Sequence, residues 1–127
     1  MLAGLLAAAV CYHLNGRALK AFGEEAVTYA APVFEELLKT GFALALGGGV
    51  FLSHLTFGAV EAAYDLYKNR GAPACRAGIA GFVSHGVFGA VTGYCIKYFN
   101  NPLPGLIVSI LIHMGWNYTV MNFNKLF

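Results

Sequence analysis

Apolar residues fill four long stretches of this chain, and each stretch ends at a short cluster of glycine, proline or polar residues. Three of the runs reach 18 or more residues without apolar–polar alternation, which argues against strands and for helices of membrane length. Met1–Tyr12 is a shorter apolar run. It lacks the basic start and small-residue cleavage site of a signal peptide, and it falls short of the roughly 20 residues a span needs. It is expected to form a short or tilted first helix. Arg17–Ala31 is mixed in polarity and helix-compatible, and Pro32 marks a kink or a fresh start before Val33–Leu46. Gly47-Gly48-Gly49 is the sharpest breaker and is expected to turn the chain. Val50–Tyr67 follows, then a polar loop over Lys68–Arg76, the long segment Ala77–Phe99, a turn at Asn100–Pro104 and a last span at Gly105–Phe123. The predicted fold class is all-α: a polytopic membrane helix bundle of four core spans plus a short N-terminal helix. Residues 1–127 are expected to form a single membrane-embedded domain.

Composition supports lipid as the solvent. Of the 127 residues, 58% are hydrophobic and only 11% charged, against about 25% charged in soluble domains. The 16 glycines suit helices that approach closely in a membrane. A net charge of +2 gives nucleic-acid binding no support. Cys11, Cys75 and Cys95 are odd in number and lack CxxC spacing, so neither a disulfide framework nor a cysteine zinc site is indicated.

The positive charges set an expected orientation. Arg17, Lys20, Lys68, Arg70, Arg76 and Lys125 fall on one side, which is predicted to be cytoplasmic together with the loops at residues 13–25 and 68–76. Among loop residues only Lys97 falls on the other side, with the triple-glycine turn and the Asn100–Pro104 turn.

Against this apolar background, Glu35, Glu36, Lys39, His54, Glu61, His85 and His113 stand inside the hydrophobic segments. A charge at the centre of a bilayer helix costs roughly 2.5–3.5 kcal/mol on insertion scales, so such residues mark a functional site by default. Helical spacing aligns His54, Gly58, Glu61 and Asp65 on one face. Gly78, Gly81, His85, Gly89 and Gly93 share another, and Ser109, His113 and Asn117 a third. Glu35 and Lys39 stand in the favourable order for an ion pair four residues apart. These stripes avoid lipid and are predicted to converge at the bundle centre.

Plainer readings exist for single residues. Glu35 and Glu36 also suit a helix start after Pro32, where the dipole favours carboxylates without chemistry. His54 reads as an interhelical hydrogen-bonding group, and Gly78–Gly93 as a packing face. Tyr64 either orients a carboxylate or belongs to an aromatic belt. The combination is harder to explain that way. A carboxylate removed from water binds protons more strongly and serves as a base near neutral pH. Histidines shuttle protons or bind metal, and an amide N–H suits a developing oxyanion.

The same residues resemble a known family pattern. Pro32-Val-Phe-Glu35-Glu36-Leu-Leu-Lys39 resembles the glutamate-pair motif of PrsW-type intramembrane proteases, relatives of the CAAX prenyl endopeptidases and of bacteriocin-immunity-type membrane proteins. Phe57-Gly-Ala-Val-Glu61-Ala-Ala-Tyr64 resembles the second motif, with glutamate where CAAX enzymes usually carry histidine. Ser84-His85-Gly-Val-Phe-Gly89 resembles the third, and Leu111-Ile-His113-Met-Gly-Trp116-Asn117-Tyr the last. The four stand in family order across residues 30–118, although Ala62 follows Glu61 where the family often has asparagine.

The resemblance implies roles. Glu35, with Glu36, activates water, and His85 assists as a second base, proton shuttle or metal ligand. His113 and Asn117 stabilise the oxyanion. Glu61 orients water, His85 or Lys39, and Lys39 supports the glutamate pair. The expected function is an intramembrane endopeptidase that hydrolyses a peptide bond of a membrane-associated protein with carboxylate-activated water. A non-catalytic scaffold or immunity-type protein using the same polar cavity is one alternative, and a small proton-coupled transporter is another. The expected partners are a membrane-associated protein or peptide substrate and the lipid bilayer. The cofactor is either none or Zn2+. Two histidines with Glu61 offer three zinc donors, but HExxH is absent and a metal-free glutamate base explains the same residues.

Overall fold

A computed structural model describes residues 1–69 and 71–123, and within them every regular element is a helix. The elements are α1 (Leu2–Phe22), a π turn (Ala26–Ala30), α2 (Ala31–Ala45), α3 (Val50–Lys68), α4 (Ala72–Phe99) and α5 (Pro102–Phe123). Arg70 and Lys125, two of the cations behind the expected orientation, lie outside the described residues. Apolar segments in lipid must pair their own backbone groups, and the helix does this within one segment. Two of the helices, α4 and α5, are long and apolar enough to cross a membrane.

The breaks fall where the backbone needs unusual angles. Gly23, Gly47 and Gly71 have positive φ, and Asn100 adopts the left-handed conformation at φ 50°. Gly47 at φ 62° ends the α2 turn, as the triple glycine predicts. Three boundaries correct the sequence reading. The N-terminal helix is not short, because α1 runs 21 residues to Phe22, so residues 13–22 are helical and the predicted loop shrinks to 23–25. The mixed segment Arg17–Ala31 is broken at Gly23. The predicted 68–76 loop shrinks likewise, since α4 starts at Ala72 with Pro73 in its first turn, where a missing N–H costs nothing.

Pro32 explains the π turn. Its ring removes an N–H and crowds the preceding turn, and the helix widens upstream over Ala26–Ala30. The N–H of Ala31 reaches the carbonyl of Ala26, five residues back. The Val27 carbonyl would take its partner from residue 32, which has no N–H to give. That orphaned carbonyl is satisfied from another helix, as described below.

The packing is inside out relative to a soluble protein. Phe51, Ile79, Val83, Val87, Ile107 and Leu111 are exposed, while Lys39, His54 and His85 are fully buried. Each helix packs on its sequence neighbour, α1 also packs on α3, and α2 on α5. One end of the bundle is drawn tight. Ala3, Ala43 and Val50 cluster there, and Gly89 lets α4 lie against His54 of α3. Toward the opposite end lies a cavity of about 710 Å³ bordered by α1, the π turn, the start of α2, the C-terminal halves of α3 and α5 and the N-terminal half of α4.

The predicted glycine face on α4 is only partly a packing face. Gly78 and Gly89 meet α3, whereas Gly81 and Gly93 face open space. A Cβ on Gly89 would lie 2.6 Å from the His54 Cβ and 3.3 Å from the Phe51 Cα. Gly89→Ala is therefore expected to cost about 1–3 kcal/mol through overpacking, read as a lower unfolding midpoint in micelles. Gly93→Ala is the control, with no loss expected; equal effects at both positions would contradict this packing.

Candidate active site

Glu35 and Glu36 lie one turn into α2 and point into the bundle, 3% and 0% exposed. Their surroundings differ. Glu36 is saturated with donors. Its Oε1 accepts from Lys39 Nζ at 2.6 Å and meets His113 Nδ1 at 2.9 Å, while its Oε2 accepts from Ser109 Oγ at 2.8 Å and lies 3.5 Å from His54 Nδ1. Glu35 has one donor, the Asn15 Nδ2 of α1, at 2.9 Å from Oε1. Its Oε2 is buried without a hydrogen-bond partner and stands 3.8 Å from His113 Nε2. Only Glu35 of the pair borders the cavity.

Lys39 pairs with Glu36, three residues before it, and not with Glu35 as helical spacing alone suggests. The tertiary acceptor decides this. Lys39 Nζ also donates to His85 Nδ1 of α4 at 2.9 Å and sits 4.6 Å from the centre of the Phe57 ring. An ammonium only donates, so His85 Nδ1 is an acceptor and its proton rests on Nε2. That Nε2–H meets Glu61 Oε2 at 2.6 Å. Both nitrogens of His85 are thus engaged. Glu61 sits at the cavity edge with its side chain 42% exposed.

His113 is buried, its ring stacked on Phe88 at 4.6 Å and edge-on to His85 at 5.2 Å. With Nδ1–H on Glu36, its Nε2 is the nitrogen beside Glu35. Asn117, one turn on, borders the cavity and donates Nδ2 to the orphaned Val27 carbonyl at 2.9 Å. Pro32 therefore fixes Asn117 through the backbone partner it deprives. Glu35, Glu61, His85, His113 and Asn117 line the inner wall of the cavity, with Glu36 and Lys39 buried behind them, and the remaining wall is mainly apolar, with Leu5, Ala8, Leu19, Phe57, Val60 and Val120.

Three contributors carry no site role in the sequence reading. Ser109 stands on the right helical face, and Asn15 falls in the predicted 13–25 loop. His54 is fully buried, bonded to Thr40 Oγ1 at 3.3 Å and directed at Glu36. It both joins α2 to α3 and belongs to the carboxylate's surroundings. Tyr64 packs edge-on against Tyr12 of α1 at 5.8 Å, at the mouth of the cavity.

A metal would have to be held by Glu35, His85 and His113, whose donor atoms lie within 4.8 Å of one another; Glu61, the carboxylate expected beside the two histidines, is not in that group. The donor set does not fit a resident ion. The lone pair of His85 is committed to Lys39, and its other nitrogen carries the proton given to Glu61. An ion at either nitrogen would displace one of these two bonds, the Lys39 donation at 2.9 Å or the Glu61 contact at 2.6 Å.

Residues 20–119 match a family model described as type II CAAX prenyl endopeptidase, Rce1-like. No curated protein and no solved structure matches the chain. The match supports the CAAX protease superfamily implied by the motifs and does not single out the PrsW branch.

Proposed function

Because the chain belongs to the Rce1-like family of type II CAAX prenyl endopeptidases, a family of integral membrane proteases, we propose that it is an intramembrane endopeptidase whose water is activated by Glu35. One observation carries this reading: of the four oxygens on the glutamate pair, only Glu35 Oε2 is buried without a partner, and it lies beside His113 at the cavity wall. Glu36, neutralised by Lys39 and bound to Ser109 and His113, is an anchor and not a base.

Glu35 Oε2 takes one proton from water as the oxygen adds to the scissile carbonyl carbon. The developing oxyanion is met by the second N–H of the Asn117 amide, while His113, its Nδ1–H held on Glu36, lines the Glu35 side of the cavity with Nε2. Collapse breaks the C–N bond, and Glu35 returns its proton to the departing amine. His85, locked between Lys39 and Glu61, positions the wall and transfers no proton in this scheme. The apolar cavity suits a lipidated or membrane-embedded segment of a membrane-associated protein. Glu61, where CAAX enzymes usually carry histidine, is the PrsW-like feature of this reading.

All of residues 1–127 are proposed to form one membrane-embedded domain with α2 to α5 as core spans. The π turn and α2 run without interruption from Ala26 to Ala45, about 30 Å at helical rise. The end bearing Arg17, Lys20, Lys68 and Arg76 is proposed to be cytoplasmic. The cavity would then open toward C-terminal tails presented from that side.

The test is cleavage of a prenylated C-terminal peptide by the purified protein in lipid vesicles, beside its unprenylated form, with and without a strong zinc chelator. Cleavage that favours the prenylated peptide and is indifferent to the chelator is expected. Activity lost to the chelator and restored by zinc would replace the metal-free scheme.

A further inference from the structure

We infer that Asn15, on α1 and outside the family-matched residues 20–119, is a positioning residue that aims the Glu35 carboxylate. The inference rests on the proposed role of Glu35 as the base.

Asn15 Nδ2 donates to Glu35 Oε1 at 2.9 Å, across 20 residues of sequence and between two helices. Its own Oδ1 is buried and unpartnered. Placing an amide in an apolar helix and leaving half of it unsatisfied is costly, so the half that is used has a large share in keeping the residue there. The bond holds Glu35 by one oxygen only. A carboxylate gripped at Oε1 cannot rotate freely, and Oε2 is left beside His113 Nε2. Other donors are close at hand. Lys39, His113 and Ser109 already bind Glu36 one residue away, and a released Glu35 would compete for them. Asn15 thus keeps the two adjacent glutamates in separate roles.

The same helix forms one side of the cavity. Leu5, Ala8, Tyr12 and Leu19 of α1 border it, so the group that aims the base is carried by an element a substrate would touch. The catalytic centre is therefore incomplete without α1.

Three variants of the full chain in lipid vesicles test this. Asn15→Leu keeps the volume and removes the donor, Asn15→Asp keeps the shape and replaces the donor with a like charge, and Asn15→Gln keeps an amide donor. Hydrogen bonds to charged groups set the expected size, a fall in kcat of about tenfold to a hundredfold for Asn15→Leu and at least as much for Asn15→Asp, with KM within about twofold. Asn15→Gln is expected to recover a substantial part of kcat. A second readout needs no turnover: labelling of Glu35 by a hydrophobic carbodiimide, located by mass spectrometry, is expected to quicken about tenfold in Asn15→Leu and to stay near wild type in Asn15→Gln. Unchanged labelling in Asn15→Leu overturns the inference whether or not the protein cleaves, as does unchanged kcat in a protein that needs Glu35. Labelling that responds as expected in a protein whose cleavage ignores Glu35→Gln would retain the contact and remove the catalytic reading beneath it. Should Asn15→Leu fail to fold, Asn15→Asp and Asn15→Gln carry the same comparison.

Discussion

Lys39→Met is expected to destabilise the bundle by about 3–5 kcal/mol, the usual cost of leaving one partner of a buried ion pair alone. Lys39 is 0% exposed and ties together three helices, α2, α3 and α4, through the Glu36 carboxylate, the face of Phe57 and the His85 ring. Methionine fills much of the space but leaves Glu36 without its counter-charge and His85 Nδ1 without its donor. The measurement is reversible unfolding in mixed micelles. Because the penalty is mainly the stranded charge, Glu36→Gln in the Lys39→Met background is expected to recover part of the loss, where independent sites would add. A Lys39→Met protein as stable as wild type would show that the pair is solvated and that the polar centre is open to water. Lys39→Arg is not a conservative rescue, since the larger planar guanidinium enters a site with no exposed surface.

Glu35→Gln is expected to lower kcat by about a hundredfold to ten-thousandfold, the range a positioned general base supplies. KM and the unfolding midpoint are expected to change little. Glutamine keeps a carbonyl oxygen that accepts from Asn15, and the rest of the network does not depend on the charge of Glu35. Single-turnover cleavage in vesicles separates the chemical step from binding. Turnover that survives the substitution would move water activation elsewhere, and His113 Nε2 would be the next candidate from its distance to Glu35.

Much of this arrangement is legible in the sequence because membrane segments obey few rules. Long apolar runs can only be helices, and the triple glycine at 47–49 can hardly be anything but a turn. Periodicity then brings Glu35, Lys39, His54, Glu61, His85, Ser109, His113 and Asn117 inward, since the alternative is lipid. What is not legible depends on tertiary partners. Lys39 lies within reach of both Glu35 and Glu36 on the helix surface, and the position of His85 on another helix selects Glu36. The unequal surroundings of the two glutamates follow from donors on α1, α3 and α5 that no local pattern relates to them. Asn15 is hidden because Asn15, Gly16, Arg17 and Lys20 look like an interfacial loop, whereas α1 continues through them to Phe22. The Asn117–Val27 bond has a signal in retrospect: Pro32 withholds an N–H five residues on, and a widened helix leaves that carbonyl open.

The division of labour between the adjacent glutamates is tested most directly by Glu35→Gln and Glu36→Gln measured side by side, for prenylated-peptide turnover and for unfolding in the same lipid mixture. The account predicts that Glu35→Gln loses turnover at wild-type stability, while Glu36→Gln loses stability by about 3–5 kcal/mol as Lys39 is left unpaired. A stable Glu36→Gln protein without turnover, beside a Glu35→Gln protein that still cleaves, would contradict it.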